Sequence, residues 1–224
     1  MIKCILWDID GTLLNFKKAQ YVALYKCFEY FNEHLDDDMV DKYDHINHGY
    51  WLMLEKGEIE NNVLLVKRFE DFFGKYGINI DPVEFNKLYQ VELGNTYVFN
   101  DNGYETVKRL KELGIIQFAV TNGTKTAQNG KLRGSGLDKL LDEIFISEDI
   151  GYEKPDKRFF EPVIDKLREY GIEKNECVIV GDSDSSDIQG GINAGIRTVH
   201  YTDELKSKAD AIISDLSLVL AMVQ

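Results

Sequence analysis

The stretch "KCILWDIDGTLL" (residues 3–14) joins an apolar segment to two closely spaced aspartates, and it decides the fold. Residues 2–7 are almost wholly apolar, and Asp8 and Asp10 follow at once. A short run that is apolar throughout is typical of a parallel strand covered on both faces. Two carboxylates beside such a strand repel each other and lose hydration, so we expect a cation next to them.

Further apolar runs predict five more strands, at residues 115–120, 144–146, 177–180, 198–201 and 211–213. Helical patterns lie between them. Residues 104–114 place their apolar side chains on one helical face and end at Gly114, and residues 155–171 behave similarly. Pro162 must then lie in the first turns of the second helix or bend it. Strands that alternate with helices predict an α/β fold with a doubly wound, mainly parallel sheet.

Residues 16–96 interrupt this alternation, because they hold helical patterns rich in aromatic and acidic residues and no convincing strand. We interpret them as a helical subdomain inserted after the first strand, with an α/β core formed by residues 1–15 and 97–224. Several aromatic side chains of the insert either fill its core or stack on a substrate base: Tyr50, Trp51, Phe69, Phe72 and Phe73.

The composition limits the classes of function. The 224 residues are 44% hydrophobic and carry a formal net charge of −13, which disfavours binding to a nucleic-acid polymer. The sequence has neither a membrane-spanning run nor a signal peptide, and the three cysteines (Cys4, Cys27 and Cys177) form no C-x-x-C pair. We expect a cytoplasmic protein with reduced thiols. The sequence carries no signal for an oligomeric state.

Polar side chains follow three of the predicted strands. Ligands of open α/β sheets bind outside the carboxyl ends of the strands, so these side chains should meet in one crevice. The residues concerned are Asp8, Asp10, Thr121, Asn122, Asp182 and Asp187. Carboxylate oxygens are hard ligands that suit Mg²⁺, which makes a magnesium site the expected cation.

Lys154 precedes Pro155 in the segment "GYEKPD". A proline disfavours helical backbone at the preceding residue, so Lys154 should be held extended on a loop. An ammonium group near the acidic crevice would neutralise both the carboxylates and an incoming phosphate.

Together these motifs resemble the haloacid dehalogenase superfamily of phosphohydrolases. Its four motifs occur in order along the chain: D-x-D-G-T-L from Asp8, T-N-G from Thr121, K-P-D from Lys154 and G-D-S-x-x-x-D from Gly181. The helical insert resembles the family's cap domain of type C1, here residues 16–96. Within the superfamily, the segments around Lys154, Asp187 and the cap resemble 5′-nucleotidases that act on noncanonical pyrimidine nucleotides.

The resemblance implies a role for each motif residue. Asp8 is the nucleophile that forms an aspartyl phosphate. Asp10 is the general acid and then the general base, with its backbone carbonyl a metal ligand. The family's metal site maps onto Asp8, Asp10, Asp182 and Asp187, the last binding directly or through water. Thr121 and the backbone N–H of Asn122 hold the phosphate oxygens, together with Lys154.

The implied function is a Mg²⁺-dependent phosphomonoesterase acting on nucleoside 5′-monophosphates, with a small-molecule phosphate ester as its partner and neither a nucleic-acid polymer nor a membrane. A capped sugar-phosphate phosphatase or phosphomutase is an alternative with the same chemistry. A phospho-acceptor signalling module is an alternative of another class. The acid/base at Asp10 disfavours such a module, because a switch needs a phosphate that lasts.

Overall fold

The computed structural model describes residues 1–223, which fold around a sheet of six parallel strands. The strands follow the order β3-β2-β1-β4-β5-β6 across the sheet. Their bounds are Cys4–Trp7 (β1), Ile116–Thr121 (β2), Glu143–Ile146 (β3), Cys177–Gly181 (β4), Arg197–Tyr201 (β5) and Ala211–Ile213 (β6). All six lie at the predicted positions, and the expectation of a doubly wound α/β sheet is confirmed.

Strand β1 is central, because it pairs with β2 on one side and with β4 on the other. Its four residues are fully buried and point alternately to the two faces of the sheet. Ile5 and Trp7 pack in one apolar cluster, while Cys4 and Leu6 pack in another on the opposite face. Burial on both faces explains why this strand is apolar throughout.

The helices of the sheet region follow the sequence pattern. Their bounds are Gly103–Glu112 (α5), Lys125–Ser135 (α6), Ser147–Ile150 (α7), Lys157–Glu169 (α8) and Gln189–Ala194 (α9). Gly114 and Gly171 each lie two residues beyond a helix, with positive φ angles of 76° and 68°. Glycine adopts that backbone at little cost, which explains where α5 and α8 stop. Pro162 is accommodated inside α8, in its second turn.

Four helices occupy the segment between β1 and α5: Phe16–Tyr30 (α1), Asp37–Glu55 (α2), Asn61–Tyr76 (α3) and Pro82–Gly94 (α4). They share an apolar cluster of their own, in which Phe28, Phe69, Phe72, Phe73 and Phe85 are buried against one another. The prediction that this stretch is helical agrees with the structure, and its assignment as a cap with limits at 16 and 96 stays a prediction.

Helix α4 of the insert and helix α6 beside the sheet approach each other at two glycines. A Cβ atom at Gly130 would lie 2.8 Å from the backbone of Gly94. The two helices therefore touch backbone to backbone. A hydrogen bond from the Thr124 hydroxyl to Gln90 Oε1, 2.6 Å long, joins the same elements nearby.

Cys4, Cys27 and Cys177 are all buried and free. Within residues 1–223, no helix combines the length and the apolarity that crossing a bilayer requires.

Candidate active site

Three carboxylates meet at the carboxyl ends of β1 and β4. Asp8 directly follows β1 and Asp182 directly follows β4, while Asp187 lies in a π-helical turn formed by Asp184–Ile188. Each offers one oxygen, and these oxygens all lie within 4.8 Å of one another. The neighbouring strands are parallel, which is why residues far apart in sequence leave the sheet at the same edge.

The ammonium group of Lys154 lies among these carboxylates and is fully buried. Nζ donates hydrogen bonds to Asp8 Oδ1 at 2.9 Å, to Asp187 Oδ1 at 2.6 Å and to the Val120 carbonyl at 2.6 Å. These three acceptors use all three of its protons. Burial alone would lower the pKa of Lys154, but the two carboxylates outweigh it and raise that pKa above its usual range.

The side chain of Asn122 fixes the backbone of Lys154. Asn122 Oδ1 accepts from the Lys154 N–H, and Asn122 Nδ2 donates to the Lys154 carbonyl, both at 2.8 Å. From the sequence, Asn122 was expected to act only through its own backbone N–H, and this clamp was not predicted. Thr121 is buried beside it, and its hydroxyl oxygen accepts from the Gly123 N–H at 3.2 Å.

The hydroxyl group of Thr12 lies between two of the three carboxylates. It is 3.1 Å from Asp8 Oδ2 and 3.2 Å from Asp182 Oδ1. A Cβ at Gly11 would lie 2.2 Å from Asp182, so only glycine fits beneath that carboxylate. Asn100 Nδ2 donates to the carbonyls of both loop residues at 2.8 Å, which holds the loop in place. No role for Thr12 or Asn100 was predicted from the sequence.

The electrostatics of this cluster favour a cation. Burial raises the pKa of Asp8 well above its usual range, with Lys154 opposing and Asp187 adding to that effect. Loss of hydration in the cleft, and then Asp187, raise the pKa of Asp182 to about 7, although this residue is exposed to the cavity. One ammonium group therefore does not balance three carboxylates, and their oxygen donors suit a hard divalent ion.

The Asp10 side chain points away from the three-carboxylate cluster and toward α6. Its carboxylate accepts from Lys131 Nζ at 2.5 Å and from Gln128 Nε2 at 2.6 Å. Gln128 and Lys131 lie three residues apart on one face of α6, which starts shortly after β2 ends. Neither residue was predicted from the sequence. The available signal was a helix that begins directly behind the T-N-G motif and carries polar residues at helical spacing.

A cavity of about 960 Å³ opens above the carboxylates, between the sheet edge and helix α2. One side of α2 lines it with Asp44, His45, Asn47, His48, Trp51, Leu52 and Glu55. Trp51 is thus the one aromatic among the five singled out from the sequence that lines the cavity. Phe69, Phe72 and Phe73 are buried in the core of the insert.

A family model for haloacid dehalogenase-like hydrolases matches residues 2–195. The chain belongs to the haloacid dehalogenase-like hydrolases. It is therefore an enzyme, and the expectation of a hydrolase of the phosphatase kind is confirmed. Membership of a hydrolase family also argues against the phospho-acceptor module.

Members of this family with similar sequences include the putative HAD-hydrolase YfnB of Bacillus subtilis, 32% identical over 94% of this chain and 88% of that protein. The pyrimidine 5′-nucleotidase PynA of Streptococcus pneumoniae is 33% identical over 89% of this chain and 83% of its own. The pyrimidine 5′-nucleotidase YjjG of Escherichia coli is 27% identical over 87% of this chain and 83% of its own.

The fold of this haloacid dehalogenase-like hydrolase also matches a crystal structure of YfnB from Bacillus subtilis, which is described as bound to magnesium. The TM-score is 0.90 and the sequence identity 29%, over 99% of this chain and 98% of the other.

Proposed function

We propose that this protein is a Mg²⁺-dependent phosphomonoesterase that hydrolyses pyrimidine nucleoside 5′-monophosphates through an aspartyl phosphate. One observation carries the chemistry: a buried lysine bonds Asp8 and Asp187 within a cluster of three carboxylates at the floor of a large cavity. The substrate rests on similarity to PynA and YjjG, two proteins named as pyrimidine 5′-nucleotidases.

Asp8, Asp182 and Asp187 would hold the metal ion, with the backbone carbonyl of Asp10. Their oxygen donors and the excess of negative charge over Lys154 fit Mg²⁺. When bound, the ion supplies the positive charge that lets a carboxylate approach a phosphate dianion.

Asp8 is the nucleophile of the proposed reaction. One of its oxygens attacks phosphorus while the bond to the ester oxygen breaks, leaving the phosphoryl group on Asp8. Thr12 and Lys154 bond the two oxygens of Asp8 and fix the plane of its carboxylate. Thr121 and the backbone N–H of Asn122 are proposed to hold the phosphate oxygens that carry charge during the transfer.

Asp10 carries the proton. It protonates the leaving ester oxygen in the first half of the reaction, and its carboxylate then takes a proton from the water that hydrolyses the aspartyl phosphate. Its side chain borders the cavity, one fifth of it exposed, and α6 holds it there through Gln128 and Lys131. The helical insert, residues 16–96, is proposed to close over the substrate as a cap.

Buried free thiols at Cys4, Cys27 and Cys177 support a reducing, cytoplasmic location. The proposed partner is a small phosphate ester alone.

A screen of phosphate esters tests the proposal. We expect uridine and thymidine 5′-monophosphates to be hydrolysed with Mg²⁺ and not with EDTA. Asp8→Asn should reduce turnover at least ~1,000-fold, because it removes the nucleophile. Asp165→Asn is the matched control: its carboxylate pairs with Arg168 on the exposed side of α8 and does not line the cavity, and it should stay within about threefold of wild type. Full activity of Asp8→Asn would disprove the mechanism. If the protein hydrolyses sugar phosphates and no nucleotide, the proposed nucleotide substrate is disproved.

A further inference from the structure

One oxygen of the Glu55 carboxylate, at the wall of the cavity, is left unpaired by residues 1–223. Glu55 is the last residue of α2, and its side chain lines the cavity wall opposite the sheet edge. Its Oε2 atom is buried and has no hydrogen-bond partner among residues 1–223. A buried carboxylate oxygen without a donor is costly and rare in folded proteins, so this atom is expected to meet a donor that the protein itself does not supply.

Glu55 lies close to the reaction centre. Burial raises its pKa and Asp187 adds to the effect, while a hydrogen bond with the Ser185 side chain and the charges of Lys154 and His48 act in the opposite direction. These groups come from the loop after β4, from the Lys154 loop and from α2. Lys154 is already committed to Asp8, Asp187 and a carbonyl, so it has no proton left for Glu55. Glu55 therefore lies where the leaving group of a bound substrate would adjoin the phosphate.

The cavity is strongly acidic as a whole. Eight carboxylates and two lysines line it: Asp8, Asp10, Asp44, Glu55, Asp182, Asp184, Asp187 and Glu204, with Lys17 and Lys154. A divalent ion at the three-carboxylate cluster leaves this lining negative. A phosphate can be bound by that ion and favoured by the positive charge of Lys154, but a second negative group beyond the phosphate would face Glu55.

Trp51 gives the same wall an apolar face. It lies one turn before Glu55, and its indole N–H donates to Asn47 Oδ1 at 3.1 Å. The buried Arg68 donates to the same oxygen at 2.8 Å, which fixes the amide that orients the indole. The Trp51 ring beside the unpaired oxygen of Glu55 suits a leaving group that is uncharged, partly apolar and bears hydroxyl groups.

We propose that Glu55 is a specificity-determining residue that selects uncharged, hydroxyl-bearing leaving groups. It accepts a hydrogen bond from a leaving-group hydroxyl, and it repels leaving groups that carry a negative charge of their own. The proposal rests on the proposed phosphomonoesterase activity and adds to it the class of alcohol that is released.

Glycerol 3-phosphate and 3-phosphoglycerate test the charge effect, because a carboxylate in the second leaving group replaces a hydroxymethyl group in the first. For wild type we expect a higher kcat/KM on glycerol 3-phosphate. Glu55→Gln keeps an acceptor oxygen and removes the charge, so it should raise kcat/KM on 3-phosphoglycerate about tenfold and change glycerol 3-phosphate less than about threefold. Glu58→Gln, an exposed site just beyond α2, is the matched control and should leave the ratio unchanged.

Glu55→Leu tests the hydrogen bond, and it should raise KM for uridine 5′-monophosphate about tenfold. The proposal would be overturned if the ratio of kcat/KM on the two substrates were the same in Glu55→Gln as in Glu58→Gln. This comparison tests the proposal even if the leucine variant fails to fold. If the ratio shifts while wild type leaves uridine 5′-monophosphate intact, the nucleotide substrate is wrong and the role of Glu55 stands. If uridine 5′-monophosphate is hydrolysed and the ratio stays fixed, the role of Glu55 is wrong.

Discussion

The ammonium group of Lys131 lies 2.5 Å from Oδ1 of Asp10, and the lysine side chain has no exposed surface. The same ammonium lies 5.3 Å from the centre of the ring of Phe16, the first residue of α1. Helix α6 therefore joins the candidate proton carrier to the boundary between the sheet region and the insert.

We predict that Lys131→Met lowers kcat at least ~10-fold, because Asp10 loses a partner that fixes its position beside the leaving oxygen. KM should change less, since Lys131 bonds no phosphate-binding group in the structure. Steady-state kinetics over a pH series measure both, and Lys131→Arg should recover part of kcat. Lys125→Met, on the same helix but exposed and paired with Asp149, is the control. Equal effects of the two methionine variants would contradict the role of Lys131.

Asn122→Ala should lower the free energy of unfolding by about 1–3 kcal/mol, because both polar backbone groups of Lys154 lose their bonds to the amide. Urea unfolding measures this loss. Asn175→Ala, at an exposed position, should stay within about 0.5 kcal/mol of wild type. A loss no larger than that of the control would show that the clamp does not stabilise the loop.

Mg²⁺ should stabilise the protein more at about pH 8 than at about pH 5.5. The pKa of Asp182 in the metal-free protein is about 7, above its unfolded value, so the native state binds more protons in the window between them. The free energy of unfolding without metal therefore falls as pH rises through that window, and Mg²⁺ binds the ionised carboxylates that form. Melting temperatures with Mg²⁺ and with EDTA at the two pH values test this. Asp182→Asn should remove most of the difference, and a larger Mg²⁺ effect at the lower pH would contradict the prediction.

Gly130→Ala should destabilise the protein by about 1–3 kcal/mol, because the added methyl group meets the backbone of Gly94. Gly74→Ala is the matched control, since Gly74 lies inside α3 with open space at its Cβ position, and there alanine should stabilise by up to about 1 kcal/mol. Thermal or urea unfolding of both variants gives the comparison. A Gly130→Ala variant as stable as Gly74→Ala would mean that α4 and α6 separate at no cost.

Local patterns were enough to predict the sheet. Strand β1 and its neighbours are apolar throughout because both faces are buried, and the polar residues that follow them must meet at one edge. On this basis Asp8, Asp182 and Asp187 were expected in one crevice before any contact was known. The gathering of these three side chains is a consequence of parallel topology, so it could be read from the order of the motifs.

Contacts that depend on how one helix is rotated were not predictable. The bond from Lys131 to Asp10 spans 121 residues and depends on which face of α6 meets the end of β1. The same holds for the insert, where Trp51 lines the cavity and Phe72 is buried, although both are aromatic residues on amphipathic helices. Packing between elements decides such cases, and no local spacing encodes it.

Lys154 gives the crevice a permanent counter-ion. Because its ammonium already bridges Asp8 and Asp187, the acidic floor of the cavity can assemble during folding before any metal ion arrives. The proposed Mg²⁺ ion would then enter and leave a preformed site, and its exchange with the surrounding solution need not involve unfolding of the chain.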